Sequence, residues 1–373
     1  MKYSMTSALL GAMLMTTAPA MAQDLDTMTP EELYEVAKTE GSVTVFSLSS
    51  RIARIETAFE AQYPGIDLIG FDINSTKQIA RLEAEQRADI YAVDVLYLSE
   101  APVVLRDLLP EGMVTKYVPP RVADQVPAEL QADLLTHRLS TRALMYNEAA
   151  YPDGTPIANL WQLTTDDWRG KVLMEDPSQR GEALDLLTEI ALRSDEMAAA
   201  YEAQFGMPIT VDDDLEGAGE QFIRDLFDND LVMVGSSSTL RAAVGDINAT
   251  DPSVGWTTYS AARNNEEEGW ALQISNDTVP SAGILFPAVL TIAKNSPNPA
   301  AARLLIDFMM GDDTPTGGPG FEPFYVQGDY AARRTIEDHP DAVPLVDLNL
   351  WTMDPAATGA ARARVLDLIL VLQ

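Results

Sequence analysis

The sequence contains no cysteine. That removes disulfides, thiolate metal sites and cysteine nucleophiles together. Histidine is nearly absent too, with only His137 and His339. His339 stands in the loop-like run Glu337-Asp-His-Pro340, so a histidine-rich metal centre or a Ser-His-Asp hydrolase is hard to build. Positive charge is scarce: 25 Lys and Arg face 57 Asp and Glu, for a formal net charge of −32. Such a field disfavours nucleic acid or an anionic membrane as partner and favours a soluble monomer. It also opposes an anionic ligand, which local Arg or Lys groups would have to hold. Beyond an apolar run near Ala8 to Met15, no stretch is long enough to span a bilayer. Gly235-Ser-Ser-Ser-Thr239 lacks the Gly-Lys-Ser/Thr ending of a phosphate-binding P-loop, which argues against nucleotide hydrolysis. No acid pair in a cleft motif and no nucleophile–base pair stands out, so an enzyme is not expected. No cofactor and no metal site is expected either.

At the start, Lys2, the short apolar run and Ala20-Met21-Ala22 have the form of a signal peptide over residues 1–22, cleaved after Ala22. Export to the periplasm follows as an expectation. About 350 residues remain, enough for two domains with their own cores.

The chain is organised around Val43-Thr-Val-Phe-Ser-Leu-Ser-Ser-Arg51. A helix over Pro30 to Glu40, with Thr29 as N-cap, stops at Gly41. A β-branched strand runs from Val43 to Phe46. The chain then breaks into hydroxyls and enters an amphipathic helix, Ile52 to Gln62, closed by Tyr63-Pro64-Gly65. A helix N-terminus at a strand end presents free N–H groups and the positive end of the helix dipole. Ser49 and Ser50 can serve there as simple caps or as ligand contacts.

The pattern recurs. A strand over Ile66 to Phe71 leads to Asn74-Ser-Thr-Lys77 and a helix from about Gln78 to Arg87. A buried strand, Ala92 to Leu98, leads to Ser99-Glu100 and a helix over Val103 to Leu109. A longer strand spans Leu134 to Met145. Beyond a Pro/Gly-rich loop, the strand Lys171 to Met174 gives way to Ser178-Gln-Arg180-Gly181 and a helix over Glu182 to Arg193. Leu231 to Val234 then opens, through Ser236, Ser237, Ser238 and Thr239, into a helix carrying Arg241. Strands are expected at Trp270 to Ile274 and Val289 to Ala293. Helices are expected at Asn298 to Met310 and Ala357 to Leu372, with a turn at Asn264 to Glu268 and a flexible loop at Thr314 to Pro323. Alternating strands and helices imply an α/β fold in which ligands sit outside the carboxyl ends of the strands. Polar strand ends from two halves of the chain, facing one another, make a cleft.

These motifs, in this order, resemble the periplasmic solute-binding proteins of ABC importers, in the ferric-binding-protein-like branch. The resemblance rests on Leu33 to Val45, on Phe59-Glu-Ala-Gln-Tyr-Pro-Gly-Ile66, and on Asp94-Val-Leu-Tyr-Leu-Ser99. It rests also on Trp168-Arg-Gly-Lys-Val172 with Asp176-Pro-Ser178, and on Ala300 to Phe308. It implies a type II two-lobed α/β fold with mixed sheets, crossovers near Thr141–Asn147 and Trp270–Ser281, hinged closure on a small solute, and docking on a membrane permease. The expected organisation is lobe 1 over residues 23–142, lobe 2 over 143–275, a return to lobe 1 over 276–330, and a C-terminal helical segment, 331–373, packed on the lobes. Iron-binding members of this branch use a histidine and an acid on one lobe and adjacent tyrosines on the other. Here Ser49-Ser50-Arg51 and Ser236 to Thr239 occupy the corresponding loops, and no Tyr-Tyr pair exists. Serine and arginine suit an oxyanion, such as a sugar phosphate or phosphonate, better than a hard cation. The candidate ligand contacts are Ser49, Ser50, Arg51, Ser75, Thr76, Ser99, Glu100, Ser178, Arg180, Ser236, Ser237, Ser238, Thr239 and Arg241, with Glu100 accepting a ligand hydroxyl. The alternative is a ferric-ion or other metal binder using Glu100, Tyr146, Tyr325 or Tyr330.

Overall fold

The computed structural model describes residues 24–373; the expected signal peptide lies outside them. In chain order the first elements are α1 (Pro30–Glu40), β1 (Ser42–Ser47), α2 (Ile52–Gln62), β2 (Asp67–Asp72), α3 (Ser75–Arg87) and β3 (Val95–Leu98). Then come α4 (Ala101–Val103), which runs on as a π-helical turn over Val104–Leu108, β4 (Val114–Thr115) and the long β5 (Leu135–Asn147). The second half holds β6 (Val172–Glu175), α5 (Gly181–Leu192), α6 (Ser194–Phe205), α7 (Ala218–Asp228), β7 (Val232–Val234), α8 (Ser237–Gly245) and β8 (Val254–Thr257). It continues with α9 (Asn265–Glu268), β9 (Leu272–Ile274), β10 (Gly283–Ala293), α10 (Pro299–Met309) and α11 (Gly318–Phe321). The chain closes with β11 (Asp329–Ala331), β12 (Trp351–Thr352) and α12 (Pro355–Leu372).

Local chemistry sets several boundaries. α1 starts at a reciprocal capping box between Thr29 and Glu32 and ends at Gly41, in the left-handed region with φ 80°, where a Cβ would be strained. α3 begins earlier than the sequence pattern suggests. Asn74, not a residue near Gln78, is its N-cap and accepts a bond from the Lys77 N–H, so Ser75 and Thr76 belong to its first turn.

The main path of the sheet runs β2-β1-β3-β10-β5-β8-β6-β7. The outer parts are parallel, and the two long central strands are antiparallel to their neighbours. β5 and β10 pair with each other from Ala143–Gly283 to Leu135–Leu290. Further along, β5 pairs with β8 and β9, while β10 pairs with β3. These two strands therefore pass through both lobes. The sequence pattern hides the second one: only Val289 to Ala293 reads as strand, because Pro287 looks like a break. In the fold Pro287 lies next to a register shift at Ala288/Val289, where a residue without an N–H is tolerated. The crossing expected at Trp270–Ser281 thus falls on β10.

Each lobe buries apolar residues on both faces of its part of the sheet. One side of lobe 1 packs Leu33, Ile55, Phe59, Leu304 and Phe308, and the other packs Ile79, Leu82, Leu98 and Val104. In lobe 2, Trp161, Leu187, Phe222 and Ile369 fill one face and Leu240, Val244 and Tyr259 the other. Two expected loops are structured. Asn265–Glu268 forms α9. Thr314 to Pro323 contains α11 and leads into a 3-10 turn, which buries Phe321 and Phe324 in the lobe 1 core. Two rings of that size supply apolar area enough to order a glycine-rich segment. Among the described residues no helix is long and apolar enough to cross a membrane.

Candidate ligand cleft

A cavity of about 330 Å³ opens between the lobes where β5 and β10 cross. Its walls carry six arginines: Arg51, Arg138, Arg142, Arg180, Arg241 and Arg263. Five short stretches deliver them. Arg51 is the N-cap residue of α2 and Arg180 that of α5. Arg138 and Arg142 lie four residues apart on β5, with Ser140 between them. Alternate side chains of a strand share a face, so Arg138, Ser140 and Arg142 all line the cavity. Arg241 projects from α8, and Arg263 from a 3-10 turn over Tyr259–Asn264. Leu48, Ser49, Ser50, Asp72, Asn74, Glu182, Ser237, Thr258, Ser260 and Phe286 complete the lining.

Four of the arginines are held by buried acids. Asp329 accepts from Arg51 at 2.7 Å, from Ser140 at 2.9 Å and from Arg138. Burial would raise its pKa, yet Arg138 and Arg51 hold it below the usual carboxylate range. Glu175 accepts from Arg142 at 2.6 Å, from Arg180 at 2.9 Å and from Ser237 at 2.7 Å. Burial opposes its ionisation, but Arg142 and Arg180 bring its pKa down to about 2. Glu182 lies 3.9 Å from Arg142. In contrast, Arg241 and Arg263 form no ion pair among the described residues. Arg241 donates to Thr257 and Thr258, each at 3.2 Å, and Arg263 to the Ser260 carbonyl. Burial first, and neighbouring arginines next, lower the pKa of each to about 10. The Nε donors of Arg51, Arg138 and Arg142 are buried without a hydrogen-bond partner. Buried donors are normally satisfied, so the cleft holds crowded cations whose donors are not all used.

Of the residues singled out in the sequence, Ser49, Ser50, Arg51, Arg180, Ser237 and Arg241 meet at this cavity. The others do not line it. Ser75 and Ser99 are buried and bonded to each other at 2.8 Å, and Ser99 also donates to Glu182 at 2.6 Å. Thr76 donates to Glu100 at 2.5 Å, and Glu100 pairs with Arg362 of α12 at 2.9 Å. Glu100 therefore holds an arginine rather than facing the cleft. Ser178 bonds Asp176 at 2.8 Å. Ser236 is the N-cap of α8 and binds Thr239, and Ser238 is a first-turn residue of that helix. Sequence reasoning missed Arg138, Arg142 and Arg263. For the first two a signal existed: Arg138, Ser140 and Arg142 stand at i, i+2 and i+4 of a strand and so share one face. Arg263 follows Tyr-Ser-Ala-Ala, which carries no such mark.

The tyrosines of the metal-binding alternative lie elsewhere. The Tyr330 hydroxyl donates to the Val343 carbonyl at 2.7 Å and that of Tyr325 to the Asp338 carbonyl at 3.3 Å. Tyr146 is buried in the lobe 2 core. Among the described residues no group of three or more His, Asp or Glu is arranged to hold a metal ion.

A two-lobed α/β fold crossed by two strands, with a polar cleft at the crossing, defines a solute-binding protein. A family model described as bacterial extracellular solute-binding protein matches residues 47–315, and the chain belongs to that family. Solved structures share the fold. Iron-bound HitA from Pseudomonas aeruginosa is 18% identical, with a TM-score of 0.67 over 89% of this chain and 99% of that one. AfuA from Actinobacillus pleuropneumoniae, with fructose-6-phosphate bound, is 17% identical, with a TM-score of 0.66 over 87% and 96%. FutA from Trichodesmium, in complex with iron and citrate, is 14% identical, with a TM-score of 0.58 over 89% and 99%. No curated protein matches the chain. The family is one of substrate-binding proteins of the ABC-transporter type, which take a small solute outside the cytoplasm for delivery to a permease.

Proposed function

We propose that this protein captures a small oxyanionic solute, a phosphate ester or phosphonate of the sugar-phosphate kind, and delivers it to the permease of an ABC importer. The observation that carries this reading is the cleft lined by six arginines, two of them, Arg241 and Arg263, with no acid partner among the described residues. An anionic group seated there satisfies guanidinium donors and offsets the burial and mutual repulsion that lower the pKa of both. Asp72, Asn74 and Glu182 are also in the lining and supply acceptors for hydroxyls on the rest of the solute. The cavity is at the small end of the range for ligand pockets, in keeping with a compact metabolite. The neighbours' ligands divide between iron and a sugar phosphate, so the choice is made on this chain's own residues. A cluster of guanidiniums repels a bare ferric ion and attracts an oxyanion.

The test is a thermal-melt screen of protein refolded to strip any carried ligand, with sugar phosphates, phosphonates, organic acids and ferric citrate. A ligand at 100 times its Kd adds roughly 2.7 kcal/mol of stability, a visible rise in Tm. A rise with phosphate esters that Arg241→Ala abolishes supports the reading. A rise with ferric ion alone contradicts it.

A further inference from the structure

The cleft has a definite charge, and that charge points to a narrower class of ligand. Six guanidiniums line it. Two carboxylates, Asp72 and Glu182, line it with them. Two more, Asp329 and Glu175, are buried against its arginines. Six positive groups against four negative ones leave two unmatched positive charges. Pairing the groups gives the same surplus. Arg51 and Arg138 share Asp329, while Arg142 and Arg180 share Glu175. Glu182 approaches Arg142 at 3.9 Å, and burial raises the pKa of Asp72, with Arg180 opposing that rise. Arg241 and Arg263 are left over. Three of the four acids are fixed in place: Ser140 and Ser237 donate to Asp329 and Glu175, and Ser99 donates to Glu182 at 2.6 Å.

From this count, resting on the oxyanion reading above, we infer that the cleft is matched to a group carrying two negative charges, a phosphate or phosphonate monoester dianion, and discriminates against monoanions such as sulfate monoesters and phosphodiesters. A sulfate monoester has nearly the same size and shape as a phosphate monoester, so shape alone gives little selectivity between them. Charge does. At an effective dielectric constant of about 20 and a separation of about 5 Å, one extra negative charge among these arginines strengthens binding on the order of 10²-fold. Because the second ionisation of a phosphate ester falls near pH 6, the preference should fade below that pH as the ligand itself takes up a proton.

The experiment is calorimetric titration of the stripped protein with matched phosphate and sulfate monoesters of methanol, glycerol and glucose, between pH 7.5 and pH 5. The expected result is a phosphate ester bound on the order of 10²-fold more tightly than its sulfate partner at pH 7.5. That ratio falls as the pH drops through 6, while sulfate binding stays flat. Arg263→Gln removes one of the two surplus charges and should narrow the ratio to about tenfold or less, a change that mere loosening of the fold would not produce. Equal or inverted affinities within a pair, independent of pH, would overturn the two-charge match and leave the oxyanion reading standing. Failure of every ester of either kind to bind would overturn the oxyanion reading itself.

Discussion

Two buried, polar regions lie side by side between the lobes, and they differ in how far their cations are matched by acids. In the cleft, arginines outnumber acids and surround a cavity of about 330 Å³. Next to it, Glu100 of lobe 1 and Asp185 of α5 both hold Arg362 of α12, at 2.9 and 3.0 Å, while Ser99 reaches across to Glu182. There two carboxyl groups meet one cation. Burial pushes Asp185 well above the usual carboxylate range, against the pull of Arg362. The first region is short of negative charge and has room for it. The second pairs its cation with its own acids, and there a Cβ added at Gly181 would lie 2.2 Å from Glu100 Cδ. Polar strand ends alone do not distinguish the two. The unmatched cations do, and on the function proposed above they separate a place for a solute from a contact between the lobes.

The largest effect expected from breaking this comparison is on the closed contact. Arg362→Met leaves Glu100 and Asp185 buried without their cation. Removing one partner of such a pair costs about 3–5 kcal/mol, a fall in Tm on the order of 10 °C for a chain of this size. The cleft arginines are untouched, so the rise in Tm on adding ligand should survive. Arg241→Ala should do the reverse: affinity measured by titration drops about 10²-fold or more, while the ligand-free Tm holds or rises because a crowded buried cation is gone. Gly181→Ala sharpens the comparison from another side. Gly181 has ordinary helical backbone at the start of α5, so an alanine there is unstrained in the helix and clashes with Glu100 across the lobe contact. The cost of such overpacking is about 1–3 kcal/mol. Small-angle scattering should show a smaller ligand-induced contraction than in the parent protein.

A smaller effect concerns pH. His137 accepts from the Tyr97 hydroxyl at 2.7 Å and contacts the Met309 carbonyl through Nε2 at 2.9 Å. Burial, with Arg138 next, lowers its pKa to about 3. Between pH 6.5 and 3 the unfolded chain binds a proton there that the folded chain refuses, so stability falls as the solution is acidified. The slope is on the order of 1 kcal/mol per pH unit. Denaturant melts between pH 4 and 7 should show this contribution, and a His137→Gln variant should lack it. The smallest effect is at Ser238, in the exposed first turn of α8. Ser238→Ala should leave both stability and affinity within about 0.5 kcal/mol, in contrast to Ser237, whose hydroxyl bonds Glu175.

Much of the fold was legible because strand and helix periods, caps and stops agree along the chain. Thr29 with Glu32, Gly41 and the run from Val43 to Arg51 specify their elements locally. The central strand β10 was only half visible because the tolerance for Pro287 depends on an irregular register against β5, which is a tertiary fact. The cleft was legible as a class of chemistry and only partly as a set of residues. Ser49, Ser50, Arg51, Arg180 and Ser237 sit at strand-to-helix turns, where helix N-termini present free N–H groups, and Arg241 lies one turn into α8. Ser75, Thr76, Ser99 and Glu100 carry the same mark, yet they bond to each other, to Glu182 and to Arg362, because α5 and α12 pack against them. No local pattern encodes which strand ends face a cavity and which face another lobe. Arg138 and Arg142 left a trace in the alternation of β5. Arg263 left none, since its place depends on how the turn after β8 meets the cleft.

The most direct test is a calorimetric comparison of the stripped parent protein with an Arg241→Ala, Arg263→Ala double variant, titrated with phosphate monoesters and with ferric citrate. The account predicts that the parent binds at least one monoester, that the double variant binds none, and that neither binds ferric ion. Binding of ferric citrate by both proteins, with no ester bound by either, would contradict it.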